Sequence, residues 1–514
     1  MKGKKTPEHY NQTNFRGFGF DVHNIVFPIT TCVVIFFVIF TLTFPDQAGE
    51  TFGALRVWLT SKFDWVFIIS TNFFILFCLA IIFSPVGKIR LGGTNARPEF
   101  STLAWISMLF AAGLGIGLMF YGVYEPVNHF LTPPLGADGT DIAYTRELAM
   151  AATILHWALH PWAIYAVVGL AMAFFSYNHK LPLSVRSAFY PLLGEKIWGW
   201  SGHLIDILAV FATIFGIATS LGFGAEQSMA GLNYLFGISI SVSNKVYIII
   251  GITGVALISV LRGIHGGVKL LSEINIMIAA ALCIFIFTVG PTLHIIREFF
   301  TNTINYIEHL PALSNWIGRE DSAFLHNWTT FYWAWWMSWS PFVGMFIARV
   351  SRGRTVREFL IGVLVIPSII GIAWFTTFGG SAIDQYISDG YTGVIHTIQN
   401  QTPEMSIYKF LEGFPLSQVT STVAVVLVCV FFITSMDSGA LVIDTITAGG
   451  KLNTPKLQRM LWCVFIGLIA ITLMISGGLG SLQAMALTTA FPFCAILLIM
   501  CYSTAKGLIQ EFRS

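Results

Sequence analysis

The sequence predicts an all-α membrane protein, and three observations predict it. Of 514 residues, 55% are hydrophobic and only 11% are charged, with a mean hydropathy of +0.73, a balance that soluble domains do not show. Apolar runs long enough to cross a bilayer recur at about 24-45, 62-84, 101-124, 148-176, 203-225 and 246-262, then at 268-290, 328-348, 359-380, 419-442, 457-476 and 483-505. A hydrocarbon core of about 30 Å asks for roughly 20 such residues per helix, so these twelve runs read as twelve spans. Third, with the N-terminus inside, the external segments keep only Arg56, Lys62, Arg146, Lys245, Arg297, Arg319 and Lys409 of the 28 lysines and arginines. Cytoplasmic loops accumulate these residues, which predicts an even number of spans with both termini cytoplasmic.

The first run is too long, and too poor in small residues near its end, for a cleavable signal peptide, so it reads as a retained helix. Termini and loops are too short to build a separate soluble core. The longer external segments are 291-327 and 381-418; the first contains "LHIIREFFTNTINYIEHL", whose apolar spacing predicts a helix along the membrane surface. Segment 177-202 reads as short re-entrant or surface helix. The formal charge of +2 follows from topology and does not imply nucleic acid. All seven cysteines lie inside apolar runs without CxxC or histidine spacing, as packing residues do.

The third run reads "FAAGLGIGLMFYG", with Gly113, Gly115 and Gly117 at alternate positions. Glycine costs a helix about 1 kcal/mol against alanine, and this spacing makes no single packing stripe, so the helix is expected to unwind in mid-membrane. Unwound backbone survives there only where protein or a watery cavity satisfies it, which points to a binding site; close helix packing is the competing reading. The tenth run carries "FFITSMDSGA". Thr434 and Ser435 beside carbonyls freed in the glycine stretch make an oxygen-lined cation site, unless the hydroxyls bond back to their own turn. Asp206, Glu226, Glu273, Asp437 and Asp444 lie in or near spans, and none has a partner legible in the sequence.

The eighth run holds "FYWAWWMSWS", six aromatic rings in ten positions, four of them tryptophan. Tyr332, Trp336 and Trp339 share a helix face, with Trp335 beside Trp339 at i,i+4. The fourth run holds "HWALHPWAIY"; a kink at Pro161 brings Trp157, Trp162 and Tyr165 round a common space. An aromatic cage is the usual recognition of a quaternary ammonium, which has no proton to donate. Headgroup anchoring explains these rings poorly, because they sit well inside their runs.

These stretches, with "GLGIGLMFYGVYEP", "FYWAWWMSWSPFVGMFIARVSRGRTVREF" and "TSMDSG", resemble the betaine/choline/carnitine transporter (BCCT) family from about residue 85 to the end of the last span. The resemblance implies a LeuT-like core of two five-helix inverted repeats. The organisation is then 1-85 (cytoplasmic N-terminus and two peripheral helices), 86-290 (first repeat), 291-327 (external segment), 328-505 (second repeat) and 506-514 (short C-terminus). By the family pattern Trp157, Trp162, Tyr165 and Trp336 form the aromatic box, and Trp335 and Trp339 line the path beside it. A coupling sodium would sit on the carbonyls of Ala111 and Leu114 and the hydroxyls of Thr434 and Ser435. A second sodium would use Thr213 and Phe342, although Ile217, one turn on, offers no oxygen.

Gly117 stands where proton-driven choline carriers tend to have Asp, which favours a zwitterion. Asn275 and Val343 stand where sodium-independent carnitine exchangers have Arg and Met, and "KGLIQEFRS" is too short for an osmosensing tail. The expected function is sodium-coupled import of a zwitterionic quaternary ammonium compound, glycine betaine first, in a bacterial cytoplasmic membrane, with no cofactor beyond the coupling ion and with a homotrimeric assembly. The alternatives are a proton-coupled choline or carnitine carrier, a carnitine-type exchanger and a dimethylsulfoniopropionate carrier. An enzyme is not expected, because no paired histidine or carboxylate motif is legible on facing spans.

Overall fold

Backbone in hydrocarbon has no water to bond, so apolar runs become helices or closed barrels; here they fall on helices. A computed structural model of the chain describes residues 14–113, 115–262 and 269–513. Among them the one sheet is a hairpin of β1 (Asn14–Gly17) and β2 (Phe20–His23), antiparallel with Asn14 opposite His23. Asp21 pairs with Lys451 Nζ at 2.8 Å and donates its backbone N–H to Gln458, which ties this hairpin to the start of the last helix.

Helix α1 (Val26–Thr43) is followed by α2 (Pro45–Phe83). The second apolar run was expected to begin at 62, but the helix starts at Pro45, whose fixed φ suits a first helical turn. At 39 residues it is about 58 Å long and exceeds the hydrocarbon thickness.

The expected interruption of the third run is present. Helix α3 (Thr102–Gly113) stops, Gly115 is extended at φ −139° and ψ −154°, and α4 (Ile116–Leu131) begins beyond it. Helices α5 (Ile142–Trp157) and α6 (Leu159–His179) are separated at Ala158, with φ −100° and ψ −121°. The bend was expected at Pro161 and lies three residues earlier. Proline has no N–H for the carbonyl four residues back, that of Trp157, and its ring crowds that carbonyl, so the regular turn fails before the proline.

Short helical turns over Val185–Phe189, Tyr190–Leu193 and Gly194–Trp198 lead to α7 (Trp200–Phe236), α8 (Val242–Arg262) and α9 (Lys269–Val289). The amphipathic external stretch forms α10 (Thr292–Leu313), with Leu293, Phe300 and Ile307 exposed and Ile295, Asn302 and Tyr306 buried. The tryptophan-rich run is α11 (Thr330–Val350). Next come α12 (Val356–Phe375), opened by a Thr355–Glu358 capping box, and α13 (Ser417–Thr447). Helix α14 (Lys456–Arg513) turns at Gly478, where φ is +60°, a value that favours glycine, and so separates the last two runs.

Nine helices among the described residues are long and apolar enough to cross a membrane. The number falls short of the twelve runs because α14 joins two of them, the third is broken, and the tryptophan-rich α11 is less apolar. The apolar stretch of Ile142–His179 is 94% buried, against 22% and 28% in α1 and α8, so α5 and α6 occupy the centre and α1 and α8 the periphery. Helix α6 packs on α11, and α7 on α13 and α14. Glycines set the closest approaches: a Cβ on Gly344 of α11 would lie 2.6 Å from Val168 Cγ1 of α6, and one on Gly216 of α7 2.7 Å from Ser338 Oγ of α11.

Candidate functional site

The glycine break, the bend at Ala158 and the tryptophan-rich helix meet at one cavity. Gly115, Ile116 and Gly117 form one wall, Trp157 and Tyr165 a second, and Trp335, Trp336 and Trp339 a third, with Ser220 of α7 beside them. The rings meet edge to face: Trp157 and Tyr165 each lie 5.3 Å from Trp336 between centroids, at 85° and 67°. Such rings present π faces at right angles, the arrangement in which several quadrupoles can act on one cation. No residue in these walls is charged.

Three of the rings are held from behind. Trp335 donates its indole N–H to Ser220 Oγ at 3.1 Å, and Trp339 donates to the Gly216 carbonyl at 2.8 Å. Trp157 donates to Glu125 Oε2 at 2.7 Å, and its far edge reaches the glycine break, where a Cβ on Gly117 would lie only 2.5 Å from Cη2. Any side chain at 117 must therefore displace Trp157.

Five of the six expected substrate contacts thus line the cavity. The sixth, Trp162, is fully buried and packs edge-on against Tyr165 at 5.6 Å, so it backs the wall without facing the space. Tyr332 shares a helix face with Trp336 by spacing, yet one turn away it meets a different neighbour and points its hydroxyl at Glu125.

The expected sodium ligands are differently placed. Leu114 lies outside the described residues, and Ala111 is in the last turn of α3. The Thr434 hydroxyl donates back to the carbonyls of Val430 at 2.9 Å and Phe431 at 3.1 Å, and Thr213 donates to Ala209 at 2.7 Å. Back-bonding disposes of the hydroxyl hydrogen and leaves oxygen lone pairs, so it does not remove either group as a cation ligand. Ser435 is buried, and Phe342 packs on Trp339 at 5.4 Å.

Asp206, Glu226, Asp437 and Asp444, acids without partners legible in the sequence, find them. Asp206 pairs with Arg186 at 2.5 Å and Glu226 with Lys245 at 2.5 Å. Asp437 accepts from Ser259 at 2.5 Å, and Asp444 is met by Thr454 and Gln458.

The expectation of no histidine–carboxylate grouping is corrected: Glu125 and His129 of α4 and His156 of α5 are fully buried together. Glu125 Oε1 meets His156 Nδ1 at 2.6 Å and His129 Nε2 at 3.3 Å, while Oε2 accepts from Trp157 and, at 2.5 Å, from the Tyr332 hydroxyl. The signal in the sequence was an acid inside "GLMFYGVYEPVNHF" with a histidine four residues on, hence on the same helix face. Its other donors lie on other helices.

The betaine/carnitine/choline transporter family model matches residues 25–513. The chain belongs to this family. It is 52% identical to a glycine betaine/proline/choline transporter of Vibrio parahaemolyticus, over 96% of this chain and 92% of that protein. A second transporter of that organism, for glycine betaine, is 48% identical over 97% and 96% of the two chains. A glycine betaine transporter of Acinetobacter baylyi is 41% identical over 95% of this chain and 75% of its own length. This BCCT member is a multi-pass membrane transporter and not an enzyme.

Proposed function

We propose that this BCCT transporter imports a zwitterionic quaternary ammonium compound, glycine betaine first, in symport with sodium. The observation that carries the reading is the uncharged cavity walled by Trp157, Tyr165, Trp335, Trp336 and Trp339. A trimethylammonium head offers no proton, so ring faces are the groups that can replace its lost water, at roughly 0.5 to 2 kcal/mol each. The buried indole N–H of Trp336 has no partner among the described residues and is a donor for the substrate's carboxylate. The names of the relatives favour the same substrate class.

Coupling rests on a sodium held by backbone of the glycine break with Thr434 and Ser435, and the second ion on Thr213 and Phe342 lacks an oxygen at Ile217. In this reading the chain crosses a bacterial cytoplasmic membrane twelve times with both termini inside. Residues 86-290 and 328-505 form two inverted repeats that alternate access to a midplane site, in a homotrimer.

The test is uptake of radiolabelled glycine betaine into proteoliposomes under an inward sodium gradient, then with potassium substituted, against unlabelled choline, carnitine and dimethylsulfoniopropionate. Accumulation with sodium alone supports symport, and the competitor ranking sets the substrate. Accumulation indifferent to sodium overturns the coupling and leaves proton coupling or exchange.

A further inference from the structure

We propose that Glu125 is the fixed anion of the onium site, acting through the Trp157 indole, and that it lets the cavity hold an onium cation that carries no carboxylate of its own. The inference rests on the substrate reading above and deepens it.

The hydrogen-bond inventory sets the charge. An ionised carboxylate has about four acceptor positions and no hydrogen to give. Glu125 has four neighbours, and Trp157, which can only donate, is one of them. An ionised carboxylate can accept from all four at once. His156 stands between Glu125 Oε1, 2.6 Å from its Nδ1, and the Thr329 hydroxyl, 3.0 Å from its Nε2, while His129 Nδ1 is buried without a partner among the described residues. The ion pairs of Glu125 among the described residues are with these two histidines and with no lysine or arginine. Glu125 is therefore the source of negative charge in this group.

Placement gives that charge a use. The Trp157 indole spans the gap, its N–H on Glu125 and its Cη2 edge at the glycine break, with its ring in the cavity wall. A cation over that ring lies one indole's width from the carboxylate. The hydrogen bond to an anion also pushes electron density into the ring, which strengthens its hold on a cation. A zwitterion feels this less than a bare cation, because its own carboxylate is repelled while its head is attracted. Gly117 supplies no anion to the cavity; Glu125 does, from behind the wall.

The experiment compares the parent with Glu125→Gln in purified proteoliposomes, reading competition by choline and by unlabelled glycine betaine against labelled glycine betaine. In Glu125→Gln the inhibition constant for choline rises at least about fivefold more than that for glycine betaine, since a monopole loses more than a dipole when the charge is removed. Tyr332→Phe removes one donor and keeps the charge, so its ratio of the two constants stays within about twofold of the parent. Equal losses for both solutes in Glu125→Gln, or the same change of ratio in Tyr332→Phe, overturn the inference and assign Glu125 to packing. Should Glu125→Gln not reach the membrane, infrared difference spectra of the parent on adding choline decide. A shifted antisymmetric carboxylate band that also moves in Tyr332→Phe supports it, and a protonated-acid carbonyl band overturns it. Failure of the parent to bind any onium solute, read by tryptophan fluorescence, sinks the substrate reading instead.

Discussion

Trp336 touches both Trp157 and Tyr165 and is the ring that joins the two clusters. Trp336→Ala is expected to raise the glycine betaine concentration for half-maximal uptake at least several-fold, and Trp336→Phe to do less, because a phenyl face keeps part of the quadrupole. Near-parental uptake by the alanine variant would remove Trp336 from the box. Thr434 and Ser435 were legible as hydroxyls in an apolar run, and the back-bonding weighed against a cation site is present at Thr434. Thr434→Ala with Ser435→Ala is expected to flatten the dependence of uptake on sodium, since two oxygens leave the ion's shell. A sodium curve superimposable on the parent's would count against them as ligands.

The glycine-broken span could be read from sequence because three glycines at alternate positions weaken a helix locally, and the break falls between Gly113 and Ile116. The fourth-run bend was anticipated from Pro161, but its place follows from the carbonyl the proline fails to serve, one turn back. The approach of α6 to α11 was not legible, because a lone glycine does not say which helix it will face. Gly344 meets Val168 and the backbone of Gly169. Gly344→Val is expected to destabilise the protein by roughly 1–3 kcal/mol through overpacking, and to weaken onium binding as Trp336 moves away from Trp157 and Tyr165. Thermal unfolding in detergent with tryptophan-fluorescence binding checks both, and a variant matching the parent in each would show that the crossing does not position the rings.

A symporter in the proposed sense makes substrate and sodium favour a common state of the whole molecule. The factor by which saturating sodium tightens glycine betaine binding should then equal the factor by which saturating glycine betaine tightens sodium binding. Titrations of each ligand with and without the other, on the same purified protein, measure the two factors. Unequal factors at equilibrium would mean that the two sites do not share one pair of states.

Composition and run length were enough to make this chain a helical membrane protein, since only a helix or a barrel satisfies backbone in hydrocarbon. Its motifs carried it to the betaine/carnitine/choline transporter family, which the match over residues 25–513 bears out. Sequence also brought Trp157, Tyr165 and Trp335, Trp336 and Trp339 forward as candidates, because ring content and helical spacing are local properties. The donors around Glu125 were beyond its reach. Trp157 stands 32 positions away and Tyr332 stands 207 away, and nothing in either local pattern names the other. Side chains so distant meet only when α4, α5 and α11 pack. That packing turns an acid in an apolar run into a buried carboxyl with four hydrogen-bonding neighbours behind the aromatic wall.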